Sequence, residues 1–546
     1  MNNQTIRWEI AKKGKAKDIT SVLLRNRGIK SQKDKKEFFN PTAPDKISLK
    51  SLGLSQKEIN KAIKRIKTAK QKKEKVIVYG DYDADGICGT AILWEALYGL
   101  GLNVLPYIPE RFSEGYGLNS ESIKKLKSKD PDLSLIITVD HGIVADKKVD
   151  IARELGIDVI ITDHHQPGKT VPKSFATVHT TKIGGAAVAW ILSRELGKKS
   201  GLELAAVGTI ADQLPLIGAN RSFAKYGLEA LNKTKREGLL ALFEEAAIKS
   251  GEIGPYEVGF LIAPRINATG RLTHAIDSLR LLCTKDKYRA KVLAGEIGRT
   301  NAQRQKIVEE VVLHARERLK DGVKDNVIIL AHESYHEGVI GLAAAKLVDE
   351  FYRPAIVLSK KGKIAKASAR SISGFNIIEA IRKLEGLYLE GGGHPMAAGF
   401  SISTVKIAKF TKGINKIAAQ ELTPEILSRR LKIDAEVHFN QLNQELFAKI
   451  RKFEPNGLGN PSPLFVTRGV NIVNVRAVGR DGAHLKLKLE ESGVSFEAIA
   501  FNKAAYYTNL PPQSQIDIAF SLEENTFAGY TNLELKIRDI RSYERN

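Results

Sequence analysis

Two cysteines, Cys88 and Cys283, stand in a chain of 546 residues. That scarcity excludes a disulfide framework and a cysteine-rich zinc site, and it suits a reducing compartment. Long hydrophobic runs are missing too. No stretch reaches the roughly 18 apolar residues that would span a bilayer, and the opening MNNQTIRWEIAKKGKAKD lacks the apolar centre of a signal peptide. The expectation is a soluble, cytoplasmic protein without membrane contact. Internal repeats and low-complexity tracts are absent, so the chain is not a solenoid. Acidic residues are the minority: 62 Asp plus Glu against 85 Lys plus Arg, a net charge of +23. Such a balance argues for a polyanionic partner, most commonly nucleic acid, although it also serves solubility. Charge alone does not separate catalysis from binding.

Hydrophobic residues make up 43% of the chain, enough for true cores, and its length requires several domains. The first 70 residues are polar and basic, with a helical stretch at Gln56 to Ala69, and read as a lead-in packing on the first domain. Short apolar runs then alternate with helical segments. Lys75 to Tyr79, Val104 to Ile108, Leu133 to Val139 and Ile157 to Thr162 are the strands; Thr90 to Tyr98, Ser120 to Lys127 and Lys147 to Leu155 are the helices. This alternation predicts βαβ units and a mostly parallel sheet covered on both faces. A largely helical region follows. It ends in a long helix from about Lys287 to Leu319, whose Val308, Val311, Val312 and Ala315 keep one face. Strands resume at Val327 to Leu330 and Pro354 to Leu358, and Gly391–His394 reads as a glycine-rich turn. Beyond residue 430 short alternating segments (Val470 to Val478, His484 to Glu490, Ser495 to Phe501) predict a small β-barrel. The expected α/β architecture is a lead-in (1–70), a parallel-sheet domain (71–285), a connecting helix (286–322), a smaller α/β domain (323–425) and an all-β barrel (428–546).

Three strands of the first domain run into acidic or histidine residues: Asp81, Asp83 and Asp85; Asp140 and His141; Asp163, His164 and His165. Ligands of an open parallel sheet bind beyond the carboxyl ends of its strands, so these clusters should meet in one crevice. Neighbouring carboxylates repel and stay ionised only beside cations. A mixed Asp/His set without cysteine points to Mn²⁺, with Mg²⁺ as the lesser choice. Two ions roughly 3.5–4 Å apart would suit phosphodiester hydrolysis, with Asp140 as the natural bridging carboxylate. A single D-x-D is more often a solvated turn; the conjunction of three strand ends carries the reading. A calcium loop beginning at Asp81 is excluded, because its twelfth position holds Ile92 instead of Glu.

Gly80–Gly86, Val139–Gly142 and Thr162–His165 resemble successive motifs of the DHH phosphoesterase superfamily, and Gly208–Leu216 resembles its fourth. Pro264–Arg271 is similar to a segment of the RecJ branch, and Gly391–Gly399 to the glycine-rich signature of the associated DHHA1 domain. The resemblance covers nearly the whole chain. It implies a single-stranded-DNA exonuclease that works from the 5′ end, releases mononucleotides and serves repair and recombination. It implies Asp83, Asp85, Asp140, His164 and Asp212 as metal ligands with Asp81 in the same cluster, His165 on the scissile phosphate, and His141 as a buttress. Arg111 and Tyr116 correspond to a loop that holds a phosphate and stacks a base. Ser368, Arg370, Gly392, Gly393 and His394 form a 5′-phosphate pocket near His336. Arg265 and Arg271 are phosphate contacts, one of which serves structure alone, and Asn267 has no settled role. The resemblance also implies a single-strand-binding protein and a helicase as partners, and the multidomain plan suits a monomer.

The pattern departs at Thr180–Ala187, which lacks the expected proline and cysteine before its glycine pair. The segment reads as distant from the metal cluster. Two other functions were weighed. An oligonucleotide or cyclic-dinucleotide phosphodiesterase would share the metal site, but would not need a basic β domain. An inactive nucleic-acid-binding scaffold should have lost its acidic ligands, and this chain keeps them.

Overall fold

The structure, a computed structural model, describes residues 6–12, 18–507, 510–527 and 529–543; parts of the expected lead-in and barrel lie outside these ranges. No helix among the described residues is long and apolar enough to cross a membrane.

The first sheet has five parallel strands, in the order Asn103–Tyr107, Lys75–Gly80, Leu133–Val139, Asp158–Asp163, Ala176–His179. Its central strands are buried on both faces, which is why their sequences are uniformly apolar. The fifth strand, Ala176–His179, has only four residues and carries no sequence signal of its own. The helix Ala84–Tyr98 follows the first central strand. Asp83 caps it, accepting from the backbone N–H groups of Asp85 and Gly86, and thereby starts the helix directly at the strand end.

The 32-residue helix Lys287–Arg318 links this domain to a second, mixed sheet. That sheet runs Glu390–His394, Ala397–Ser403, Ile364–Arg370, Ala355–Lys361, Ile328–His332. Here one expectation is corrected: residues 391–394 are not a turn but part of the exposed edge strand Glu390–His394. Glycines give a strand no side-chain alternation to read, so the segment resembles a loop in sequence. The C-terminal region closes into a five-stranded barrel. Phe465–Val478, His484–Glu491, Val494–Ala500, Tyr530–Ser542 and Gln515–Phe527 pair in turn, and the last returns to the first.

The lead-in divides in two. Apolar residues between Ile47 and Ala69 pack into the core of the first domain. The earlier segment does not. Arg7–Ile10 pairs in parallel with Arg430–Ile433, and Val22, Leu23, Leu24 and Phe38 enter the barrel's core. Arg221 fastens the two regions. Its buried guanidinium donates to the carbonyls of Phe38, Lys452, Phe453, Glu454 and Pro455 and lies 4.0 Å over the Phe38 ring. Burial lowers its pKa to about 10, so it stays charged at neutral pH, held by carbonyl dipoles alone. Replacing it with alanine strands those carbonyls. Arg221→Ala is expected to cost about 3–5 kcal/mol, seen as a lower denaturation midpoint and new proteolytic cleavage around residues 452–460. An unchanged midpoint would contradict the fastening role.

Candidate metal centre

The three strand ends meet. His164 Nε2 lies 3.0 Å from Asp140 Oδ1, 3.6 Å from Asp212 Oδ2 and 3.8 Å from Asp85 Oδ2. Ligand atoms of three groups lie within 4.8 Å of one another: Asp140, His164 and His165; Asp85, His164 and Asp212; Asp81, Asp83 and Asp140. Asp140 and His164 thus sit where the groups overlap. Asp140 adopts φ +69°, a left-handed conformation that aspartate tolerates, and this turns its carboxylate back over the sheet edge.

The site is built for cations. Asp140 Oδ1 and Asp81 Oδ1 are buried and have no hydrogen-bond partner among the described residues, even though His164 approaches the former. Burial, and then Asp212 and Asp83, push the Asp85 pKa up to about 8; burial and Asp83 bring Asp212 to about 7. Burial and neighbouring carboxylates also raise Asp81 and Asp140 well above the usual range. Burial and His165 lower His164 to about 4, leaving a neutral imidazole with a lone pair to offer. Orphaned acceptors, carboxylates that resist ionisation and a neutral imidazole together fit divalent ions with mixed oxygen and nitrogen ligands.

Positioning groups surround this set. Asp163 accepts from the backbone N–H groups of Ile143, His164 and His165 and from His165 Nδ1 at 2.8 Å. Although burial opposes it, these bonds hold Asp163 well below the usual carboxylate range. They fix the His165 proton on Nδ1 and, outweighing burial, raise the His165 pKa. His141 is buried and donates from Nε2 to the Tyr79 carbonyl at 3.0 Å, beneath the cluster and outside it. Asn267 accepts from the Ala84 N–H, pinning the start of the helix that carries Asp85.

One expectation fails here. The Thr180–Ala187 segment is not remote from the cluster. The N–H groups of Gly185 and Ala186, at the start of helix Gly185–Glu195, donate to Asp85 at 2.7 and 2.9 Å. A β-carbon at Gly185 would collide with the Asp140 carboxylate, and one at Gly208 with that of Asp85. The roles of Asp163, Gly185 and Gly208 were not read from sequence. The glycine pair was the available signal, since only glycine lets another group approach the backbone so closely.

The remaining sequence-chosen residues fall around a cleft between the two sheets. Tyr116 donates to the Asp140 carbonyl at 3.1 Å, and its half-exposed ring lies 5.9 Å from that of His165. The Arg111 guanidinium sits 4.6 Å over Tyr82. In the second sheet Ser368, Gly399 and Gly392 are abreast, as are Arg370, Ala397 and His394, so one face presents both rows. Gly393 lies between the two rows on the exposed edge strand. Arg370 donates to Ser368 Oγ at 3.2 Å. Arg271 donates to the Gly338 carbonyl at 3.2 Å, and Phe112 meets His336 with ring centres 5.8 Å apart; both contacts cross the cleft. Arg265 is engaged elsewhere, paired with Glu245 at 2.5 Å.

Known proteins resemble this chain throughout. Family models match the DHH family, N-terminal domain, over residues 75–209, the DHHA1 domain over 324–420 and the RecJ OB domain over 433–539. Two curated relatives carry the name single-stranded-DNA-specific exonuclease RecJ. The one from Bacillus subtilis is 36% identical across 98% of this chain and 70% of its own length. The one from Escherichia coli is 31% identical across 88% of this chain and 90% of its own. A crystal structure of RecJ with Mn²⁺ from Thermus thermophilus superposes with a TM-score of 0.84 at 30% identity, covering all of this chain and 81% of that one. A second, with Mg²⁺, gives 0.76 at 29% identity, covering 99% of this chain and 79% of that one.

The raised carboxylates predict a pH dependence. A carboxyl group with an elevated folded-state pKa adds stability that is fully present below about pH 4, its unfolded value. That stability is lost as pH rises through about 7 to 8, where Asp212 and Asp85 ionise. Divalent ions replace the lost protons. The stabilisation given by one fixed concentration of Mn²⁺ should therefore grow between pH 5 and pH 8, read as a larger rise in Tm, and should amount to about 2–3 kcal/mol where that concentration is a hundredfold above Kd. Equal shifts at the two pH values would contradict this account.

Proposed function

The chain belongs to the RecJ family of single-stranded-DNA-specific exonucleases, and from that premise we propose that it is a metal-dependent exonuclease that degrades single-stranded DNA from its 5′ end to mononucleotides. The observation that carries this reading is the convergence of Asp85, Asp140, His164 and Asp212 on shared ligand positions at the edge of the parallel sheet. Asp83 and Asp81 would complete the set, with Asp140 shared between two ions. Bound Mn²⁺ or Mg²⁺ would supply Lewis-acid stabilisation of the phosphoryl oxygens and a water of lowered pKa.

The chain's own residues then divide the work. Asp163 keeps the proton on His165 Nδ1 and favours the charged imidazolium, which neutralises a non-bridging oxygen of the scissile phosphate. Gly185 and Ala186 hold Asp85 in place, and its remaining lone pairs would take a cation. Tyr116, anchored by its hydroxyl on Asp140, offers its ring to the base beside the cleaved bond. Arg111, Arg271, Ser368, Arg370 and the backbone of Gly392, Gly393 and His394 grip the 5′ phosphate. Arg265, tied to Glu245, serves structure. The barrel holds the trailing strand, and the net charge of +23 favours capture of the polyanion. A cytoplasmic repair role, acting as a monomer with a single-strand-binding protein and a helicase, belongs to the same proposal.

Asp140→Ala should reduce Mn²⁺-dependent release of nucleotides by at least about a thousandfold, roughly 4 kcal/mol of transition-state stabilisation. Full activity in that variant would remove Asp140 from the centre. A long 5′-phosphorylated single strand should be degraded faster than dinucleotides; the reverse order would favour a dinucleotide phosphodiesterase. Affinity for the strand should fall steeply as salt rises, because each phosphate contact releases counterions.

A further inference from the structure

The loop between the edge strand Asn103–Tyr107 and the helix Ser120–Lys129 carries Tyr116, and one side chain shapes it. Glu114 Oε1 accepts from the Tyr107 hydroxyl at the end of the strand and from the Ser122 hydroxyl in the first turn of the helix. Its Oε2 accepts from the Glu110 N–H at 2.5 Å, and the Glu114 N–H donates back to the Glu110 carbonyl at 2.9 Å. The Glu114 carbonyl accepts from Asn119 Nδ2 at 2.8 Å, while Asn119 Oδ1 caps the helix. Strand end, loop and helix start are thus tied to a single residue. Although burial opposes it, the bonds from Ser122, Tyr107 and Glu110 hold the Glu114 carboxyl below the usual carboxylate range, so it accepts as an anion. Three donors converge on its two oxygens. A glutamine has one acceptor oxygen and would turn an NH₂ group toward the donors left over.

Directly after Glu114 the chain changes direction twice. Gly115 and Gly117 take φ of +78° and +71°, and Tyr116 stands between them. Its hydroxyl reaches the Asp140 carbonyl at 3.1 Å and lies 3.3 Å from His165 Nε2, while its ring is half exposed. A tyrosine flanked by two glycines has little local preference for any one orientation, because glycine backbone is the freest to move. What fixes the ring must come from the closed loop, and Glu114 is what closes it. We propose that Glu114 is a positioning residue of the nuclease, holding the Tyr116 ring where a base beside the scissile phosphate stacks on it. Glu114 itself touches neither metal nor substrate and acts through Tyr116. This inference rests on the reading of Tyr116 as a base platform.

The test compares wild type, Glu114→Gln, Tyr116→Ala and the double variant on a 5′-phosphorylated single strand with Mn²⁺. Stacking is read separately, without metal, from the fluorescence of 2-aminopurine as the 5′-terminal base, which a stacked ring quenches. In Glu114→Gln kcat/KM should fall about tenfold, through KM, and the quenching on binding should drop by about half or more. The rise in Tm caused by Mn²⁺ should stay as in wild type, because the metal ligands are untouched. In the Tyr116→Ala background the same substitution should cost less than about twofold, since the ring it positions is gone. If Glu114→Gln melts early, Ser122→Ala removes a single donor and completes the same cycle with a smaller loss. A loss that persists in full without Tyr116, or quenching that survives in Glu114→Gln, overturns the positioning role and leaves the nuclease standing. A Tyr116→Ala protein as active and as strongly quenching as wild type overturns the platform reading with it. A wild-type protein that releases no nucleotide with Mn²⁺ overturns the nuclease reading itself.

Discussion

The mutual repulsion of buried carboxylates governs this molecule. Asp81, Asp85 and Asp140 are almost fully buried within one small volume, where burial and like charge both oppose ionisation. Much of the surrounding architecture holds these groups in place against that force. Backbone donors at a helix start steady Asp85, a left-handed turn aims Asp140, and glycines leave room for both. Asp163 is the contrasting case. The same kind of side chain, also buried, is driven the other way because backbone N–H groups and His165 surround it. Buried carboxylates of one site thus take opposite protonation tendencies from their partners.

Across the cleft the charge is reversed. Aspartates gather at the end of the parallel sheet, while Arg271 and Arg370 lie at the seam with the second sheet and within it. Each side carries an excess of one sign. The linking helix is more than a spacer in this arrangement. Its buried face joins the two domains through Val308 and Val312.

The metal cluster was legible in the sequence because strand ends and helix caps are local. An apolar run followed by an aspartate-rich turn places Asp83 and Asp85 without any knowledge of the rest of the chain. The fourth motif is less local, and Asp212 was found only through family resemblance. The support given by Gly185 and Ala186 was not legible, because it depends on which helix start faces Asp85, a contact a hundred residues apart in the chain. Residues 391–394 read as a turn because a run of glycines carries no periodicity. The split of the lead-in was hidden for a related reason: Arg7–Ile10 looks like any short polar strand, and its partner is named only by the folded chain.

That pairing bears on how the protein is made. Arg7 stands opposite Arg430 and Ile10 opposite Ile433, so this strand finds its partner more than four hundred residues later in the chain. Contacts of such separation form late and slowly. The parallel-sheet domain, whose pairings lie within about a hundred residues, can assemble during synthesis. The strand Arg7–Ile10 then waits for Arg430–Ile433, a segment that precedes the barrel strands.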